Sequence, residues 1–351
     1  MRTVLAVDGG NSKTDVAIVA DDGRLLAAVR GPTCSHQQVG LGPGLERLAA
    51  FVAAAVAEAQ LGERPDLAVY SLAGADTKAD VRSLTSALEE RGFAAEGLVL
   101  NDAFGALRAG TDRSWGVVVI CGQGVNAAGV APDGRSARLD ALGAISGDWG
   151  GGTDVGWAGL AAAVRARDGR GPRTRLEHDV PAYFGLASPA AVTSAMYTGR
   201  IAEARIGELS PVVFAAAEAG DEEARKVVDR LADEIVTMAG AMIRRIRLSR
   251  LDPDVVLAGG VFRTQDEVFR QRITDGVAAI AARARVVGLE APPVAGAALI
   301  GLDRLGGSTT SSDVSRRVRA AIGDWDAEVQ RSVSGPPARK RPSSARSGKP
   351  A

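Results

Sequence analysis

The chain has 351 residues, enough for two domains of ordinary size, and its core must be built from Ala, Val, Leu and Ile because only 4% of residues are aromatic. Its 42 basic and 42 acidic side chains cancel, so no global field draws it to nucleic acid or to an anionic membrane. Two cysteines, Cys34 and Cys121, and two histidines exclude a disulfide framework, a four-thiolate metal site and a histidine metal cluster within one chain. No apolar run is long enough to span a bilayer, and a first strand that ends at Asp8 leaves no room for a signal-peptide core. The expectation is a cytoplasmic protein.

Residues 2–8, 14–20 and 24–30 read as three short strands, the last two joined by Asp21-Asp22-Gly23. Between the first two lies the most informative stretch, Asp8-Gly9-Gly10-Asn11-Ser12-Lys13-Thr14. Glycines in such a hairpin turn let the backbone press against phosphate oxygens, and Asn11, Ser12, Lys13 and Thr14 add donors. Asp8 is suited to a magnesium ion held through water, because that ion keeps several of its own waters. An ordinary hairpin with an Asp-Gly turn is the competing reading.

A helix near 42–61 follows, with Leu45, Leu48, Ala49, Val52, Val56 and Ala59 at helical spacing. Next come a strand at 67–72, a helix at 77–91, a strand at 97–100 and a short helix from Asp102. The order βββαβαβα then starts again at Trp115. Strands at 116–121, 125–131 and 135–141 enclose the turns Gly122-Gln123-Gly124 and Pro132-Asp133-Gly134. A helix-rich insertion covers about 145–250, its clearest segment 221–248 opening on Asp221, Glu222 and Glu223 and closing on arginines that suit the helix dipole. A strand at 254–258, a helix near 264–282, a strand near 284–287 and a helix near 293–305 complete the second round. The expected domains are 1–114 and 115–305. Gly, Ser, Thr and Pro accumulate in 306–351, which is expected to be a disordered tail apart from one potential helix at 313–332; its end, Gly335 to Ala351, carries five basic residues and no acid.

Four further segments fall where this duplicated α/β architecture places ligands, beyond the carboxyl ends of strands and between the two halves. In Val99-Leu100-Asn101-Asp102-Ala103 the aspartate stands at a strand–helix junction, as a proton acceptor for a hydroxyl or as a helix cap; the segment alone favours the cap. Gly122, Gln123, Gly124 and Asn126 mirror the first glycine turn, with Cys121 where the first half has Asp8. The strand that ends in Gly259-Gly260 allows a flat ring to lie against backbone. Four glycines within Gly147-Asp148-Trp149-Gly150-Gly151-Gly152 signal a close backbone approach or a hinge.

On these residues the chain resembles the BadF/BadG/BcrA/BcrD ATPase family of the actin/hexokinase/Hsp70 superfamily, and within it the N-acetylglucosamine kinases, over about residues 2–305. The resemblance implies a fold of two duplicated ribonuclease-H-like (actin-like ATPase) domains around a cleft, with a helical insertion in the second. It makes Asp8 to Thr14 the first phosphate motif and Cys121 to Asn126 the second, where Gln123 replaces the usual threonine. Gly31-Pro32-Thr33-Cys34-Ser35-His36 corresponds to a sugar loop that usually carries Asn-His, with Ser35 in the asparagine's place. Ser71 to Asp76, with Gly74, matches a second sugar-side segment. Asn101 joins the substrate side and Asp102 matches the catalytic aspartate. Gly147 and Asp148 match the start of a Gly-Asp-Glu-Gly-Ser motif that Trp149 and Gly150 interrupt.

The implied activity is phosphorylation of N-acetylglucosamine at its 6-hydroxyl, with ATP and Mg2+ as cofactors and a small sugar as partner. Nucleic acid and membrane are not expected partners. Such oligomers are usually closed dimers, so a homodimer is allowed, with no interface legible. Related hexosamines remain open as acceptors. Rival readings are an ATPase that feeds electrons to acyl-CoA enzymes, for which Cys34 and Cys121 are poorly placed, and a non-catalytic sugar or nucleotide sensor.

Overall fold

The computed structural model describes residues 1–289 and 291–334; the basic segment Gly335 to Ala351 lies outside the described residues. The first half contains β1 (Thr3–Gly9), β2 (Lys13–Ala20), β3 (Leu25–Pro32), α1 (His36–Val39), α2 (Leu41–Glu58), β4 (Leu67–Leu72), α3 (Lys78–Arg91), β5 (Glu96–Asn101) and α4 (Asp102–Gly110). The strands order as β3-β2-β1-β4-β5. β1, β2 and β3 pair antiparallel, whereas β1, β4 and β5 run parallel.

The second half repeats this arrangement with β6 (Gly116–Cys121), β7 (Val125–Val130) and β8 (Ser136–Arg138), then α5 (Gly151–Arg167), α6 (Leu176–Tyr183), α7 (Pro189–Tyr197), α8 (Ser210–Glu218) and α9 (Glu222–Arg245). β9 (Asp254–Ala258), α10 (Glu267–Ile280), β10 (Arg285–Gly288), α11 (Pro293–Gly306) and α12 (Ser312–Ser334) follow. The order β10-β9-β6-β7-β8 is the first sheet's topology over again.

Both sheets are covered on two sides, which is why their strands are near-continuous apolar runs rather than alternating ones. Leu5, Val7, Val16, Ile18, Ala68 and Tyr70 face α2 and α3. Val4, Ala6, Ala17, Val19, Leu67 and Val69 face Val294, Ala295, Ala298 and Leu302 of α11. In the second sheet, Val118, Ala128, Val256 and Ala258 pack with Ala103, Ala106 and Leu107 of α4, while Val117, Val119, Val255 and Leu257 join the helical insertion.

The two halves therefore exchange helices. α4 comes from the first repeat and lies on the second sheet; α11, expected in the second domain, packs against β1 and β4 of the first. The two helices cross at glycine: a Cβ on Gly296 would stand 1.8 Å from the carbonyl oxygen of Gly105.

The potential helix at 313–332 is present as α12, whose Val318 and Ile322 are fully buried in the layer that covers the first sheet. Two boundaries differ from expectation. β8 is shorter than 135–141: the chain leaves the sheet after Arg138, and Ala141 takes φ 56°. α10 starts at Glu267 rather than 264, because a 3₁₀ turn at Gly260–Arg263 comes first and Asp266 caps the helix through Phe269 N.

Candidate active site

The first glycine turn joins β1 to β2, with Asp8 opposite Asp15 and Gly9 opposite Thr14. Asp8 is buried, and burial first, then the charges of Asp15 and Asp102, raise its carboxyl to about 8. A carboxylate desolvated among other carboxylates is poised to gain from a cation. Lys13 reaches Asp15 Oδ2 at 2.5 Å, and Asp15 is itself held by Arg30 at 2.6 and 2.8 Å. Gly10, Asn11 and Ser12 form the tip, Asn11 and Ser12 exposed.

The sugar-loop candidates are stapled to this turn. Thr33 Oγ1 donates to Gly10 O at 2.7 Å, and Thr14 Oγ1 accepts from Cys34 N at 2.9 Å. His36 opens α1 and lies against Gly74, where a Cβ would come within 2.7 Å of its ring. Gly74 has φ 85°, which an L side chain rarely adopts.

At the β5–α4 junction the cap is Asn101, not Asp102: Asn101 Oδ1 accepts from Ala103 N at 3.1 Å. Asn101 also accepts from Asn126 Nδ2 at 3.2 Å and donates to Asp76 Oδ1 at 3.0 Å. Its side chain is thus a brace that ties β5 to β7 across the halves, and Asp102 is left half-buried in the first helical turn. Burial, then the Asp76 charge, raises the Asp102 carboxyl to about 6, against the Ala103 amide and the Arg138 guanidinium, which lower it. Arg138 of β8 meets Asp76 at 3.4 Å and also donates to the Asp76 carbonyl. Sequence reasoning placed Asp76 only at the end of a sugar-side segment and did not single out Arg138. Asp76 lies in the loop after β4 and Arg138 on β8 of the other sheet, and no local pattern joins them.

The second glycine turn rests on the start of α5. Gly152 N donates to Gly122 O at 2.8 Å and Thr153 N to Gln123 O at 3.0 Å. Gly151, at φ 78°, would bring a Cβ to 2.3 Å from Gln123 O, so the glycine run serves close approach. Asp154 Oδ2 accepts from Gly150 N at 2.8 Å and closes the helix entry. The Gln123 side chain folds against Gly207, whose Cβ would stand 2.2 Å from its Oε1. Trp149 carries the Arg230 guanidinium 3.8 Å from its ring centroid. Beyond Gly147, Asp148 Oδ2 accepts from Gly143 N at 3.1 Å and Ser146 Oγ at 2.5 Å, within its own loop.

Gly122, Gln123 and Gly260 line a cleft of about 590 Å³ with Gly207, Phe214 and Glu218, a volume suited to a nucleotide. The insertion residues of that wall carried no sequence signal. Gly259, φ 109°, sits tightly on Cys121 O. Cys121 is fully buried, its thiol pushed up to about 12 by burial, so it offers no exposed ligand to an iron–sulfur cluster.

The residues fit a magnesium–nucleotide. Asn126 Oδ1 and Ser35 Oγ are buried with no partner, and a Cβ at Gly122, Gly124 or Gly260 would meet open space. Among the described residues no three His, Cys, Asp or Glu converge as a metal cage. Nor is any described helix long and apolar enough to cross a membrane.

Residues 5–301 match the BadF/BadG/BcrA/BcrD ATPase family. The N-acetylmuramic acid/N-acetylglucosamine kinase of Clostridium acetobutylicum is 29% identical over 74% of this chain and 86% of its own length. The N-acetyl-D-glucosamine kinase of Dictyostelium discoideum is 25% identical over 85% and 97%. Among solved structures, a candidate N-acetylglucosamine kinase from Chromobacterium violaceum shares the fold at TM-score 0.65 and 23% identity, covering 86% of this chain and 99% of that one. With the duplicated fold, both glycine turns and these relatives, the chain belongs to the BadF/BadG/BcrA/BcrD ATPase family.

Proposed function

We propose that the protein is an ATP-dependent amino-sugar kinase that phosphorylates the 6-hydroxyl of N-acetylglucosamine or a close hexosamine, with Asp102 as base. The observation that carries this reading is the division of labour at the β5–α4 junction. Asn101 Oδ1 takes the cap, and the Asp102 carboxylate, close enough to Asp8 to raise its carboxyl, stands next to the brace to the second glycine turn.

Phosphoryl transfer asks a protein mainly for alignment and charge neutralisation. Asp102, with its carboxyl near 6, is ionised at neutral pH and able to take the hydroxyl proton as the oxygen–phosphorus bond forms. Lys13 and the backbone of the two glycine turns would hold phosphates, with Thr14, buried and bonded to Cys34 N, fixing the sugar loop to the first turn, and Ser35, His36 and Gly74 would hold the sugar. Magnesium held by Asp8 through water would supply charge neutralisation. The likeness to two curated amino-sugar kinases supports the substrate class.

A coupled assay for ADP release with magnesium ATP tests this, run against N-acetylglucosamine, glucosamine, N-acetylmannosamine, N-acetylmuramic acid, glucose and no sugar. Turnover with one or two hexosamines is the expected result. Sugar-independent hydrolysis would point to an ATPase, and silence across the panel with intact sugar binding to a sensor.

A further inference from the structure

We propose that α12 belongs to the phosphate-binding machinery: Asp326, acting through Arg30 and Asp15, positions Lys13 on the first glycine turn. This rests on reading that turn as a phosphate site.

Asp8, Asp15 and Arg30 stand in one row across β1, β2 and β3, Asp8 opposite Asp15 and Asp15 opposite Arg30. By strand parity they share the face that α11 and α12 cover. The Asp15 side chain is fully buried, and its oxygens are taken by Arg30 Nε at 2.6 Å, Arg30 Nη2 at 2.8 Å and Lys13 Nζ at 2.5 Å. The same Arg30 Nη2 donates to Asp326 Oδ1 at 2.6 Å, and the guanidinium lies 5.0 Å from the Trp325 ring centroid.

Two cations and two anions thus alternate from α12 to the turn. Each link is short; the Arg30 and Asp326 side chains are 17% and 20% exposed, while Lys13, at the turn end, is 42% exposed. Removing one partner from a buried ion pair leaves the other charge uncompensated. Without Asp326 the Arg30 guanidinium keeps its fork to Asp15 but loses its anchor on α12, so the fork and the Asp15 grip on Lys13 are held less firmly. Asp326 touches no ligand, so it is a positioning residue. α12 begins at Ser312, beyond the 5–301 segment that matches the family.

The test measures binding of magnesium ATP and of N-acetylglucosamine by calorimetry, with thermal midpoints, for Asp326→Asn, Arg30→Lys, Lys13→Ala and Lys13→Ala/Asp326→Asn. Asp326→Asn should weaken nucleotide binding about three- to tenfold and leave sugar binding within about twofold. Arg30→Lys, which keeps the charge but not the fork, should do the same. Asp326→Asn should add nothing in the Lys13→Ala background, a non-additivity that a merely structural role would not produce. Normal nucleotide binding in Asp326→Asn beside weakened binding in Lys13→Ala overturns the relay, as does equal loss for both ligands with a lowered midpoint. Normal binding in Lys13→Ala removes the phosphate reading itself, and the proposal with it.

Discussion

Asp102 sits where two charges pull its carboxyl in opposite directions, and that makes its role measurable. Asp102→Asn should cost about 10²–10⁴ in turnover with little change in nucleotide binding, since a general base contributes in that range. Turnover within a few-fold of the parent would remove Asp102 from the mechanism. The active form is the ionised one, so kcat/KM for sugar at saturating nucleotide should rise with pH through about 6 and level off above. Removing the nearby cation by Arg138→Gln should move that rise to higher pH, because Asp102 then keeps its proton longer. Asp76→Asn removes an anion and should move it lower. Shifts of the same sign in both variants would mean that Asp102 does not set the limb. The Asp102 position was readable from the sequence as a strand–helix junction. That Asn101 caps the helix was not, because adjacent Asn and Asp are equally good caps and only geometry separates them. The Asp76–Arg138 pair was hidden for another reason: its members are brought together by two separate sheets.

The strands were legible because each is a short apolar run closed by a turn, and the repeat of three strands before the first helix set the topology. Which sheet a helix covers was not legible. α4 and α11 show the same apolar faces whichever sheet they meet, and their exchange follows from the crossing at Gly105 and Gly296. That crossing yields a prediction. A methyl at Gly296 would land on backbone, which cannot swing aside as a flexible side chain can. Gly296→Ala should therefore destabilise by about 3 kcal/mol, at the upper end for overpacking, with the loss read in urea melts. A change below about 0.5 kcal/mol, ordinary for surface sites, would show that the helices can part without penalty. α12 was legible as a helix at 313–332, but its docking on the first sheet was not, because its buried apolar residues, Val318 and Ile322, are few among its charges.

The exchanged helices, the Asn101–Asn126 brace and the Asp76–Arg138 pair are links between the halves: the sugar-loop candidates sit in the first half, and the 590 Å³ cleft is lined by the second. If the links transmit closure, sugar and nucleotide must each favour the closed arrangement, and by linkage each must raise the other's affinity by the same factor. A coupling of about fivefold or more is expected, the lower end of typical allosteric coupling, read as the sugar dissociation constant with and without a non-hydrolysable ATP analogue. Hydrogen exchange locates the effect. Sugar alone should slow exchange around His36–Val39, and nucleotide alone around the start of α5. The exposed loop at Gly143–Ser146, between β8 and α5, should slow fully only when both are present, if closure brings the halves together over it. Equal sugar affinity in both conditions, with exchange at Gly143–Ser146 unmoved by the pair, would mean that the halves are a rigid frame. Water would then have to be excluded from the transferring phosphoryl group by the local shape of the site alone.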